Sequence, residues 1–146
     1  MIRALIIDDE QHCIDRLTNL LIPFHEKTIE IAGTARSVEE GIQAISLLNP
    51  VLVFLDVQIN EKTGFDLLRT LPAINFAIIF TTAYERFAIQ AIKFSAIDYL
   101  LKPIDKDELQ ATLMKLMDEK SKQLTAEKIA TLLQNTQKNN GIPKKL

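Results

Sequence analysis

Val51-Leu52-Val53-Phe54-Leu55-Asp56 is an unbroken apolar run closed by one carboxylate, and it decides how the rest of the chain reads. A strand with one face open to water would alternate polar and apolar residues, so a run without alternation belongs at the centre of a sheet covered on both faces. Similar runs lie on either side of it. Ala4-Leu5-Ile6-Ile7 leads into Asp8-Asp9, Ala77 to Thr82 ends on a hydroxyl, and Tyr99-Leu100-Leu101 ends on Lys102. If the strands are parallel, their C-terminal ends share one edge of the sheet. Three acids and an amine then meet in a pocket suited to a divalent cation and a phosphoryl group.

Helix-period segments fill the gaps between these runs. Ile14, Leu17, Leu20 and Leu21 share one face of a helix that stops before Pro23. Ser37 with Glu40 three residues on resembles a capping box opening a second helix, which buries Ile42, Ile45 and Leu48. A polar turn closing at Gly64 leads to a third helix over 65–71, a fourth covers 85–94, and a fifth begins at 105–107 and buries Leu109, Leu113 and Leu116. With strands at 3–8, 29–34, 51–56, 77–82 and 97–101, five strands alternate with five helices. The expected fold is α/β: a flavodoxin-like (βα)5 sandwich of three layers around a parallel five-stranded sheet in the order 2-1-3-4-5.

At 146 residues the chain is long enough for one domain with a real core plus a tail. A formal net charge of −2 gives no basic field for nucleic acid within this stretch. The lone Cys13 has no disulfide partner, which suits a reducing compartment. No apolar run reaches the roughly 18 residues of a membrane span, so the expectation is a cytoplasmic protein with no membrane partner. From Glu119 onward the chain turns polar, with a thin apolar stripe of Leu124, Ile129, Leu132 and Leu133. So narrow a stripe fits a connecting segment better than a second core. Residues 1–120 are therefore expected to form one domain, and 121–146 a partly helical linker.

Placing the first strand beside the third brings Asp8, Asp9 and Asp56 together at the point where the strand order reverses. Three carboxylates in one crevice repel each other, and Mg2+ with its preference for hard oxygen ligands is the natural counter-ion. An Asp56 oxygen screened in this way can attack a phosphoryl group, with Lys102 and the Thr82 hydroxyl stabilising the transferred group. Taken singly, these features are dull: an Asp-Asp pair after a strand is commonly a turn with a helix cap, and Lys-Pro marks a strand end. Their joint placement at four strand ends carries the signal.

The set resembles the receiver domain of two-component response regulators. The motifs are Ala4-Leu5-Ile6-Ile7-Asp8-Asp9-Glu10, Phe54-Leu55-Asp56-Val57-Gln58 with Gly64 eight residues after Asp56, Thr81-Thr82-Ala83, and Asp98-Tyr99-Leu100-Leu101-Lys102-Pro103. The resemblance covers about residues 2 to 118. It implies that Asp56 is the phosphoacceptor and that Asp9, Asp56 and the Gln58 backbone carbonyl bind Mg2+ directly, with Asp8 acting through water. It also implies that Lys102 touches the phosphoryl group across a cis Lys102-Pro103 bond, that Thr82 is the switch hydroxyl, and that Tyr99 is the aromatic partner turning inward from solvent. The stretch from Phe80 to Phe94 and on to Ile104 is similar to receivers of the LytTR class. That class implies a sensor histidine kinase as donor and a DNA-binding domain after the linker, which these 146 residues do not contain. One departure is visible, because Ile59-Asn60 stands where receivers often carry Met-Pro.

Phosphorylation adds roughly one negative charge and new acceptor oxygens, drawing in Thr82 and making room for Tyr99. The responding face would be the fourth helix, fifth strand and fifth helix, where Glu85, Arg86, Lys93, Asp98 and Lys106 are expected to be exposed and able to pair across a homodimer. Gln58 and Tyr84 are expected to border the path of attacking water, making self-dephosphorylation slow to moderate and the protein no enzyme in the ordinary sense. His12 reads as a surface or capping residue and Cys13 as a small apolar helix residue. Competing possibilities are a stand-alone receiver acting through protein contacts, a Mg2+-dependent phosphatase of the haloacid dehalogenase type, or a nucleotide or flavin module. The phosphatase would need an acid where Gln58 stands, and the last would need a glycine-rich loop where Asp8-Asp9-Glu10-Gln11 stands.

Overall fold

The computed structural model describes residues 1–24, 28–118 and 129–134. Its elements in chain order are β1 (Ile2–Ile7), α1 (Gln11–Leu21), β2 (Ile29–Ala35), α2 (Val38–Leu48), β3 (Leu52–Leu55), β4 (Gln58–Ile59), β5 (Lys62–Thr63), α3 (Gly64–Thr70), β6 (Ala77–Thr82), α4 (Ala88–Ile92), β7 (Asp98–Leu101) and α5 (Lys106–Met117). The main sheet has the order β2-β1-β3-β6-β7 with every pairing parallel. Counting those strands alone, this is the expected 2-1-3-4-5. Strands β4 and β5 form a small antiparallel hairpin outside that sheet, so the expectation of five strands falls short by two among the described residues.

Local chemistry sets the element ends. Ser37 Oγ accepts from the Glu40 N–H at 3.1 Å to start α2, and Asn49 adopts a left-handed φ of 50° to end it ahead of Pro50. Thr63 and Asp66 form a full capping box at α3, and the Asp105 carboxylate accepts from the Glu108 N–H at 2.9 Å at the start of α5. The expected fourth helix over 85–94 is instead a 3-10 turn (Glu85–Phe87) followed by the short α4.

Alternation along the strands divides the core in two. Leu5, Ile7, Val53, Leu55, Ile78, Phe80 and Tyr99 face one way, toward α2, α3 and α4. Ala4, Ile6, Leu52, Phe54, Ile79 and Leu100 face the other, toward α1 and α5. Residues 129–134 are helical, and Ile129 and Leu132 are buried in the first of these clusters. The rest of the expected 121–146 linker, Leu124 included, lies outside the described residues.

Candidate functional site

Three strands of the main sheet each hand their next residue to one cleft of about 390 Å³. Asp8 follows β1, Asp56 follows β3 and Lys102 follows β7. By alternation all three continue the face of Ile6, Phe54 and Leu100, above α1 and α5. Lys102 Nζ donates to Asp8 Oδ2 at 2.7 Å and to Asp56 Oδ2 at 3.0 Å. The two carboxylates are 3% and 5% exposed, so the ammonium is held by charges water hardly reaches. Asp8 Oδ1 also accepts from the Glu10 N–H at 3.0 Å, and Asp56 Oδ1 from the Gln58 N–H at 3.3 Å. The bond from Lys102 to Pro103 is cis.

Asp8, Asp9 and Asp56 each bring a carboxylate oxygen within 4.8 Å of the others. One ammonium balances only one of three negative charges. Burial pushes the Asp56 carboxyl up to about 6; attraction to Lys102 opposes this and repulsion from Asp8 adds to it. Burial would push the Lys102 ammonium down, but its bonds to Asp8 and its attraction to Asp56 outweigh this and carry it above its ordinary value. A crowded set of hard oxygens with surplus negative charge fits a divalent cation of the Mg2+ kind.

Gly64 is fixed by this site. A Cβ there would stand 2.4 Å from the Asp56 carbonyl oxygen and 2.9 Å from Leu55 Cγ, so no larger residue fits without moving the backbone of Asp56.

Thr82 and Tyr99 do not sit where the sequence suggests. Thr81, not Thr82, lines the cleft, because Thr82 continues the face of Phe80 on the far side of the sheet. The buried Thr82 hydroxyl accepts from the Tyr84 N–H at 3.4 Å. Tyr99 is fully buried, its ring 6.2 Å from that of Phe80 and its hydroxyl donating to the Tyr84 carbonyl. A solvent-facing starting position for Tyr99 is therefore corrected: the ring already lies inside, and its hydroxyl has a partner. Asp98, expected on an exposed face, is buried instead. It accepts from Thr112 Oγ1 at 2.6 Å, from Lys115 Nζ at 3.2 Å and from the Tyr99 N–H at 2.8 Å. Arg86 lies over the rings of Tyr84 and Phe87, 4.6 and 4.8 Å from their centroids.

Gln58 and Tyr84 both line the cleft. His12 is exposed and lies 3.0 Å from Glu10 Oε2, while Cys13 borders the cleft with its thiol pushed up by burial. Arg36 and Asn60, on neither of which the sequence placed any role, contact Asp9 directly. The Asn60 N–H donates to Asp9 Oδ2 at 3.0 Å, and Arg36 donates to the Asp9 carbonyl through Nε at 3.3 Å and Nη2 at 3.1 Å. Backbone bonds of this kind leave no mark in residue type.

The chain belongs to the response regulator receiver domain family, whose model matches residues 4–114. The sensory transduction protein LytT of Bacillus cereus is 36% identical over 126 residues, covering 85% of this chain and 50% of LytT. The transcriptional regulatory protein BtsR of Escherichia coli is 40% identical over 124 residues, covering 84% of this chain and 51% of BtsR. The name LytT fits the LytTR resemblance, and the chain spans about half the length of these curated relatives. Among solved structures, the REC domain of AraT, a response regulator from Geobacillus stearothermophilus, matches with a TM-score of 0.69 at 28% identity, covering 79% of this chain and 92% of that one. The phosphatase and flavin alternatives gain no support. Among the described residues no helix is long and apolar enough to cross a membrane.

Proposed function

We propose that this receiver takes a phosphoryl group onto Asp56 from a sensor histidine kinase and uses it to control an output domain joined through residues 121–146. The observation that carries the proposal is the Lys102 ammonium bridging Asp8 and Asp56 inside a cleft with two surplus negative charges. Asp8, Asp9, Asp56 and the Gln58 backbone carbonyl would hold Mg2+, and the bound ion supplies the positive charge that lets an anionic donor approach. An Asp56 oxygen attacks phosphorus, forming the acyl phosphate P–O bond as the P–N bond to the donor imidazole breaks. The Lys102 ammonium, already 3.0 Å from Asp56, then shifts its hydrogen bonds to the new phosphoryl oxygens.

Thr82 reaches the phosphoryl group by moving its side chain from the far face of the sheet toward the cleft, carrying with it the bond its oxygen accepts from the Tyr84 N–H. That movement draws the loop after β6 inward and disturbs the Tyr84 carbonyl held by Tyr99. We read α4, β7 and α5 as the face that changes, pairing with a second copy on phosphorylation. Gln58 and Tyr84 border the path of hydrolytic water and make dephosphorylation slow to moderate; beyond self-catalysed transfer and this decay the domain has no turnover. The name of BtsR, a transcriptional regulatory protein, favours a role in transcription, and we read the protein as a cytoplasmic regulator whose DNA contacts come from a further domain.

The test is incubation with acetyl phosphate and Mg2+ followed by intact mass analysis. A gain of one phosphoryl, mapped to Asp56 and abolished by Asp56→Asn or by chelation, is expected. Undiminished labelling of Asp56→Asn would overturn the assignment.

A further inference from the structure

Asp9 is gripped from two sides by residues outside the acidic set. Its side-chain Oδ2 accepts from the Asn60 N–H at 3.0 Å, and its backbone carbonyl accepts from the Arg36 guanidinium at 3.1 and 3.3 Å. Asn60 Nδ2 closes the ring by donating to the Arg36 carbonyl at 3.3 Å. Three loops are thereby tied together: the turn after β1, the end of β2 and the tip of the β4–β5 hairpin.

The hairpin tip delivers this N–H because of its backbone. Gln58 pairs with Thr63 and Ile59 with Lys62, leaving Asn60 and Glu61 to make the turn, and Asn60 adopts φ 55°. Asparagine tolerates that left-handed region better than most residues. Proline has no N–H, and its ring holds φ near −65°, so it could serve neither purpose at position 60. The Lys62–Glu39 ion pair further ties the hairpin to α2.

Resting on the reading of the cleft as a Mg2+ site, we infer that Asn60 is a positioning residue, its backbone N–H holding the Asp9 carboxylate ready for the cation, with Arg36 steadying the Asp9 backbone. Only Oδ2 is engaged by Asn60, which leaves Oδ1 for the metal. A carboxylate fixed in this way loses less freedom when the ion binds. Removing such an outer partner typically weakens metal binding about 10- to 100-fold.

The experiment compares wild type, Asn60→Gly, Asn60→Pro and Arg36→Gln by calorimetric Mg2+ titration and by acetyl phosphate labelling across Mg2+ concentrations. Asn60→Gly keeps the N–H and tolerates the positive φ, so it should bind within about threefold of wild type. Asn60→Pro should bind at least about 10-fold more weakly, with its labelling rate at saturating Mg2+ little changed. Arg36→Gln should fall between them. Should Asn60→Pro fail to fold, hydrogen exchange decides: the Asn60 amide is expected to be protected in wild type and to lose protection in Asp9→Ala, and an unprotected amide in wild type overturns the inference. Mg2+ binding left intact in folded Asn60→Pro overturns the role of Asn60 alone, whereas a wild type that binds no Mg2+ overturns the reading of the cleft itself.

Discussion

Asp56→Asn should stabilise the metal-free protein, and only above a definite pH. In the fold, burial and the nearby Asp8 outweigh Lys102 and raise the Asp56 carboxyl from its ordinary 3.8 to about 6. Between those values the native state holds more protons than the unfolded chain, so stability falls as pH rises. Each tenfold change in proton affinity is worth about 1.36 kcal/mol, so the ionised carboxylate costs on the order of 3 kcal/mol above pH 6. Asparagine carries no charge at any pH. The variant should therefore match wild type near pH 4 and exceed it by about 3 kcal/mol at pH 7.5, with the difference growing between. Urea unfolding in EDTA at several pH values measures this. With a slope of about 1–3 kcal/mol per molar urea, the midpoints should separate by about 1–3 M at the higher pH. Saturating Mg2+ should narrow the gap, since an ion at one hundred times its Kd stabilises wild type by about 2.7 kcal/mol. A difference that stays flat across pH, or a variant less stable at pH 7.5, would refute the reasoning. The first result would mean that attraction to Lys102 cancels the cost of burial, the second that it outweighs it.

Gly64→Ala should cost about 3 kcal/mol in urea unfolding and slow labelling of the folded protein, because its Cβ meets the Asp56 carbonyl at 2.4 Å. Thr112→Val takes the 2.6 Å hydroxyl donor from buried Asp98 and should lower stability by about 1–3 kcal/mol in the same assay. Tyr99→Phe removes the hydroxyl that holds the Tyr84 carbonyl; it should cost about 1 kcal/mol and leave the initial rate of Asp56 labelling unchanged, and a large fall in that rate would count against it.

The parts legible in the sequence were those that repeat along it. Apolar runs ending on charge identified the sheet, its order and the convergence of Asp8, Asp56 and Lys102, because strand direction alone brings their ends together. The β4–β5 hairpin carries no sequence signature: strands of two residues have no periodicity, and their pairing is a backbone matter. The Asn60 N–H bond to Asp9 was hidden for the same reason. In Thr81-Thr82 two identical side chains face opposite sides, and only the register of β6 separates them. Asp98 looked like a surface charge because the hydroxyl that satisfies it, on Thr112, lies 14 positions further along the chain. Ile129 and Leu132 read as too thin a stripe for a core, yet they are buried in one already built by other elements.

The division of the core by the sheet carries one more consequence. The acids that would receive the signal stand over α1 and α5, while Thr82 and Tyr99 belong to the opposite layer. On the proposed function, inscription and its first reading by Thr82 and Tyr99 would take place in separate rooms, with the main chain of β6 as the party wall between them. Substitutions at Thr82 or Tyr99 would then mute the message without impairing its inscription, whereas α5, packed under the acids and part of the proposed responding face, would answer to both.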